Sequence, residues 1–123
     1  MSKTTVADRV RLKRVYEPPA SDDGTRVLID RLWPRGMKKA NAAVDQWMKE
    51  IAPSTELRKW FGHDPDRWPE FRRRYRSEIR QHPAEFKRLR ELAQHGQLTL
   101  VYAAHDAEHN DAVVLRSLLL GED

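Results

Sequence analysis

Apolar positions along the chain follow two rhythms, short dense runs and helical stripes, and together they outline the domain. Residues 9–16 and 26–32 are short segments rich in Val, Leu and Ile. They are parted by Glu17-Pro18-Pro19-Ala20-Ser21-Asp22-Asp23-Gly24, a cluster of turn formers, and both read as strands. Residues 98–104 (Leu-Thr-Leu-Val-Tyr-Ala-Ala) are nearly continuous in apolar character. A strand covered on both faces reads this way, as in a parallel sheet.

Helical spacing governs most of the remainder. Trp68, Phe71, Tyr75 and Ile79 make one aromatic stripe on a helix that Pro69 can start. His82-Pro83 ends that helix and opens the next, where Phe86, Leu89, Leu92 and Ala93 share a face until His95-Gly96. Asn110 or Asp111 caps a last helix that turns Val114, Leu115, Leu118 and Leu119 inward. Ser54 caps a shorter helix running to Phe61, with Gly62 just past its end. Residues 38–51 fit helical spacing, yet residues 44–51 also read as a third strand before Ala52-Pro53-Ser54. Strands separated by helices imply βαβ units. The expected architecture is one small layered α/β domain over residues 1–123, with residues 1–8 as a flexible tail. Its mostly parallel sheet of three to four strands is flanked by helices.

Composition narrows the chemistry. The chain has 123 residues, 34% of them charged, and no cysteine, which excludes disulfides, thiolate metal ligation and a thiol nucleophile. The first residues lack the apolar core of a signal peptide, and no apolar run approaches the roughly 20 residues of a membrane helix. The expectation is a cytoplasmic protein with no membrane partner. The formal net charge of +4 is uneven: residues 67–90 hold nine basic side chains against three acidic ones, so the rest of the chain is acidic by two charges. Such a stretch suits nucleic acid. It also suits a solvated helix face, because the aromatic stripe on the same helix points Arg72, Arg73 and Arg74 outward.

Three segments carry candidate chemistry. Asp30-Arg31-Leu32-Trp33-Pro34-Arg35-Gly36 leaves the end of an expected strand, where ligands of open α/β sheets gather. Arg31 and Arg35, with Lys38 nearby, suit a phosphate or carboxylate, and Trp33 offers a stacking face. An alternative is structural, with Trp33 in the core and Pro34 and Gly36 shaping a turn. The loop at residues 104–110 holds His105-Asp106 and His109 in a spacing that mimics a zincin motif. It leaves a strand rather than lying on a helix, and no third ligand follows at a telling distance, so no metal is assigned. Asp30, His105 and Asp106 are candidate acids or bases, and His63 and Asn110 are candidate ligand contacts.

Several of these stretches together resemble a known family. They are Ile29-Asp30-Arg31-Leu32-Trp33-Pro34-Arg35-Gly36, Trp47 with Ile51-Ala52-Pro53-Ser54, Leu57-Arg58-Lys59-Trp60-Phe61, His63-Asp64-Pro65, and Leu100-Val101-Tyr102-Ala103-Ala104 followed by Asn110-Asp111-Ala112-Val113-Val114-Leu115. The chain resembles the YeaO-like proteins, a bacterial branch of a domain group of unknown function, from about Arg11 to Leu120. The strand, polar loop and helix at its end are also similar, more distantly, to the anion cradle of rhodanese-like and cysteine-phosphatase domains. That likeness implies a cradle without its thiol, since Ala103 or Ala104 stands where the cysteine would be.

If the strands are parallel neighbours, residues 30–36 and 104–110 emerge at the same edge, and the last helix aims its N-terminal amides there. The expectation is one site binding a small anionic ligand, with no cofactor. The alternative is nucleic-acid binding through residues 67–90.

Overall fold

The structure is a computed structural model, and it describes residues 9–122; the expected N-terminal tail lies outside them. Four parallel strands form one sheet in the order β1-β4-β2-β3. They are β1 (Val10–Arg14), β2 (Thr25–Leu28), β3 (Gln46–Trp47) and β4 (Leu98–Tyr102). The helices are α1 (Lys39–Ala42), α2 (Thr55–Phe61), α3 (Trp68–Ile79), α4 (Pro83–His95) and α5 (Asp111–Leu119). The chain is thus a small α/β domain of the expected class. Residues 38–51 resolve into pieces of both readings: a one-turn helix, a two-residue strand and a 3-10 turn at Lys49–Ile51.

β4 is central because every one of its residues can be buried, and all five are. Its register sets Leu100 beside Leu12 and Val27. Alternation then sorts the side chains. Val10, Val27, Ile29, Leu98, Leu100 and Tyr102 face a large core, built with Phe61, Phe71, Tyr75, Leu89 and Leu115 from the longer helices. Val15, Leu28, Ala42 and Val101 face the other way into a smaller cluster roofed by Trp33, Met37 and Trp47.

The thinner face has a polar half. Asp23 is almost fully buried there and binds Arg26 at 2.6 Å, Arg11 at 2.9 Å and Lys13 at 3.1 Å. Its carboxylate also accepts the Ala20 amide at 3.0 Å, and its carbonyl accepts the Thr99 hydroxyl at 2.7 Å. Arg26 also donates to the carbonyls of Ala43 and Ala42. Burial alone would raise the Asp23 carboxyl, but the Ala20 amide and the three cations outweigh it and hold it far below the usual carboxylate range. Gly24 follows at φ +66°, and a Cβ there would stand 2.1 Å from the Gln97 carbonyl oxygen, so only glycine lets β2 start beside β4.

Local signals set the helix ends. The Ser54 hydroxyl accepts the Leu57 amide at 3.1 Å, and Gly62 closes α2 in the left-handed region. Glu78 of α3 accepts both the amide and the hydroxyl of Ser54, at 2.8 and 2.6 Å, tying the start of α2 to α3. The buried Tyr75 hydroxyl donates to the Ile51 carbonyl at 2.6 Å. Among the described residues, no helix is long and apolar enough to cross a membrane.

Candidate functional site

Because β2 and β4 are parallel neighbours, their loops leave the sheet at the same edge. A cleft of about 820 Å³ opens there. Its lining includes Asp30, Arg31, Trp33, Arg35, His63, His105, Asp106 and Asn110, so eight of the nine residues singled out from the sequence meet in one place. Lys38 does not; it is exposed, at the start of α1. The cleft also takes in His109, weighed above as a metal ligand, and three residues not expected in a site: Arg58 and Lys59 from α2, and Asp111.

Several expected contact residues are already engaged. Arg31 donates to the carbonyls of Pro53 and Ala52, at 3.1 and 3.2 Å. Trp33 donates its indole N–H to the Met37 carbonyl at 2.6 Å and packs edge-on against Trp47, so its ring belongs largely to the smaller core. Asn110 is buried; its Oδ1 accepts the Val113 amide at 3.1 Å and its Nδ2 donates to the Asp106 carbonyl at 2.8 Å. Its geometry is that of a helix cap. By contrast, the side chains of Arg35 and Lys59 make no hydrogen bond or ion pair with any described residue, and both are exposed at the rim. Only the backbone of Arg35 is held, its carbonyl accepting the Tyr16 hydroxyl at 2.9 Å.

Deeper in the cleft, Asp30 and Asp111 meet carboxyl to carboxyl and hydrogen-bond to each other. Trp47 donates to the Asp30 carbonyl at 2.7 Å, which fixes the backbone, and Asp30 Oδ2 accepts the Ala103 amide at 2.9 Å. Asp111 Oδ1 accepts the Ala112 amide at 2.9 Å. Burial pushes the Asp111 carboxyl well up, and the negative charge and hydrogen bond of Asp30 push it further. Burial raises Asp30 as well, partly offset by the hydrogen bond from Asp111, the Ala103 amide and the charge of Arg58. Two carboxyls this close cannot both ionise at little cost, so the pair keeps a proton between them. Burial, with Asp111 and Asp30 adding, also raises the Tyr75 hydroxyl well above its ordinary value.

These contacts correct one expectation. The amides at the end of β4 and the start of α5 are not left open for an anion. Asp30, Asp111 and Asn110 fill them with the chain's own oxygens.

Histidines line the other wall. His109 Nδ1 lies 2.8 Å from Asp106 Oδ2, and its ring meets Trp68 edge-on. Asp106 also caps its own loop by accepting the amides of Glu108 and His109. Those amides, Glu108 first, and the His109 ring lower its pKa. His105 turns the other way, with Nδ1 3.4 Å from an Arg14 nitrogen. The two histidines of the zincin-like spacing therefore serve different partners, and the described residues hold no group of three or more His, Asp or Glu placed to bind a metal. His63 stands at φ +59°, immediately after the left-handed Gly62.

None of the basic side chains of residues 67–90 lines the cleft, although Phe71 of the same helix does. Glu70 accepts from Arg73 and Arg74 at 2.7 Å each, and Arg74 also lies over the Trp60 ring. The Arg73 and Arg74 hydrogen bonds draw Glu70 down to about 2.

Fold and cleft define a compact parallel α/β domain whose polar loops are delivered to one edge of the sheet. The chain belongs to the YeaO-like family: the family model described as the inactive DUF488-N3 subclade matches residues 9–122. It is 48% identical to the uncharacterized protein YeaO of Escherichia coli (strain K12) over 110 residues, 89% of this chain and 96% of that protein. It is 44% identical to the uncharacterized protein Rv3073c of Mycobacterium tuberculosis (strain H37Rv) over 113 residues, 92% of this chain and 95% of that one. No solved structure matches.

Proposed function

We propose that the cleft at the carboxyl ends of β2 and β4 binds a small anionic ligand, bearing phosphate or carboxylate, with the anion held at the rim rather than by the α5 amides. The observation that carries this reading is the exposed side chains of Arg35, Arg58 and Lys59 around one concave site. Four cationic side chains line the cleft against three carboxyl groups, two of which share a proton, so the field inside is net positive. A folded chain gains little by gathering unpaired cations around a concavity, whereas a bound anion offsets their mutual repulsion.

Titration with inorganic phosphate, followed by amide chemical shifts, tests this. Shifts should concentrate in residues 31–36, 58–63 and 104–106, and the double substitution Arg58→Gln/Lys59→Gln should weaken binding by about tenfold or more. Shifts confined to residues 67–90 would instead favour an anionic polymer on the basic helices.

A further inference from the structure

We infer that the ligand is bipolar: an anionic group at the Arg35, Arg58 and Lys59 rim, and an amine reaching the Asp30–Asp111 pair, joined by an apolar or aromatic body. This rests on the anion-binding reading and specifies the rest of the molecule that the cleft would accept.

Three features of the cavity carry it. At the deep end the Ala103 and Ala112 amides are taken by Asp30 and Asp111, and the Val113 amide by Asn110. What the deep end presents is carboxyl oxygen, which repels a second anion and accepts from N–H. Secondly, three of the four cations lie at the rim: Arg35, Arg58 and Lys59 are exposed, while Asp30 and Asp111 are half-buried, and the half-buried Arg31 donates to the Pro53 and Ala52 carbonyls. Thirdly, the same cleft is lined by the apolar side chains of Leu32, Pro53, Phe61 and Phe71. Leu32 is 61% exposed, an apolar side chain left uncovered at the mouth of the cleft. A ligand with a charged group at each end and an apolar middle satisfies all three.

The pair also offers a readout. An ammonium group between the two carboxyls stabilises their doubly ionised form, so binding expels the proton they share. Arg58, Tyr75 and Tyr102 also interact electrostatically with this pair, and Arg31 acts on Tyr75. His63, His105, His109 and Asp106 line the same cleft. The proton must therefore be assigned by substitution. Asn at position 111 keeps an acceptor for the Ala112 amide and a donor for Asp30, so Asp111→Asn preserves the local hydrogen bonds while removing the proton.

The experiment is calorimetric titration with tyramine O-phosphate (an amine and a phosphate on an aromatic body) and with 4-ethylphenyl phosphate, which lacks only the amine. Buffers of different ionisation enthalpy report proton release. The amine-bearing probe should bind about tenfold tighter or better, with proton release, and Asp111→Asn and Asp30→Asn should each reduce that preference and the release. Equal binding of the two phosphates would overturn the bipolar inference and leave the anion reading standing. An amine preference that survives both substitutions would overturn the assignment to the carboxyl pair. If neither phosphate binds, both readings fall.

Discussion

Two aspartate centres, one under the thinner face of the sheet and one at the carboxyl edge of its strands, are solved in opposite ways. Asp23, under the thinner face, is almost fully buried against Arg26, Lys13 and Arg11 and stays charged. Asp111, at the edge of the cleft, meets a second carboxyl and keeps a proton instead. Desolvation opposes ionisation at both. What differs is the neighbour. Asp23 is surrounded by cations placed by alternation on β1 and β2, where Arg11, Lys13 and Arg26 all turn to the same face. Asp30 and Asp111 arrive from two separate loops that parallel topology brings together. A carboxylate inside a cage of cations ties strands to one another, whereas two carboxyls beside open space limit their repulsion by retaining a proton.

The comparison breaks most visibly at Asp23. Asp23→Asn leaves Arg26 buried beside a neutral amide, and should cost about 3–5 kcal/mol in urea unfolding, because an uncompensated buried charge remains. Unchanged stability would mean that the cage is ornamental.

Asp111→Asn should behave in the opposite sense, stabilising by on the order of 1 kcal/mol near neutral pH, since each unit by which a carboxyl is raised costs about 1.4 kcal/mol once it must ionise. The pH profiles sharpen this. Asp111 is raised, so the folded state holds a proton that the unfolded chain has lost, and its contribution to stability declines as pH rises through the folded pKa. Asp23 is lowered, so its contribution is present above the ordinary Asp range and is lost as pH falls toward the folded value. Thermal midpoints against pH should therefore lose the decline that begins as pH rises above the ordinary Asp range in Asp111→Asn, and the decline below that range in Asp23→Asn. Identical profiles for the two variants would remove the distinction.

The smallest effect belongs to the exposed helix. Arg73→Gln/Arg74→Gln should leave the thermal midpoint almost unchanged, since the Glu70 pairs lie in solvent. A marked drop would place these arginines in the structural frame rather than on a solvated face.

Much of the scaffold was legible. Residues 98–104 could only be a strand covered on both faces, and β4 is the fully buried centre of the sheet. Ser54, Gly62, His82-Pro83 and Asn110 marked helix ends through local hydrogen bonding and steric limits that act within a few residues, and the helices begin and end there. The convergence of residues 30–36 with 104–110 followed from parallel pairing. Asp111 was passed over because an aspartate in the first turn of a helix is ordinary; nothing local says that Asp30 faces it. Arg58 and Lys59 looked like any exposed pair on a short helix. Asp23, in an Asp-Asp-Gly turn, carried no sign of the cations that gather on it.

The sequence by itself determined most segments as strand or helix, residues 38–51 excepted, and where the longer helices stop, because periodicity and capping are short-range rules. The two polar loops share an edge because β2 and β4 pair as parallel neighbours, which the tertiary structure decided. Only the tertiary structure decided which side chains are consumed and which remain open. Arg31, Trp33 and Asn110 end on backbone partners that lie close only after folding, whereas Arg35 and Lys59 end at the rim with none. It also decided the charge states of the two aspartate centres. A carboxyl's ionisation depends on solvent and charge within a few ångströms, and those neighbours come from elements far apart in the chain.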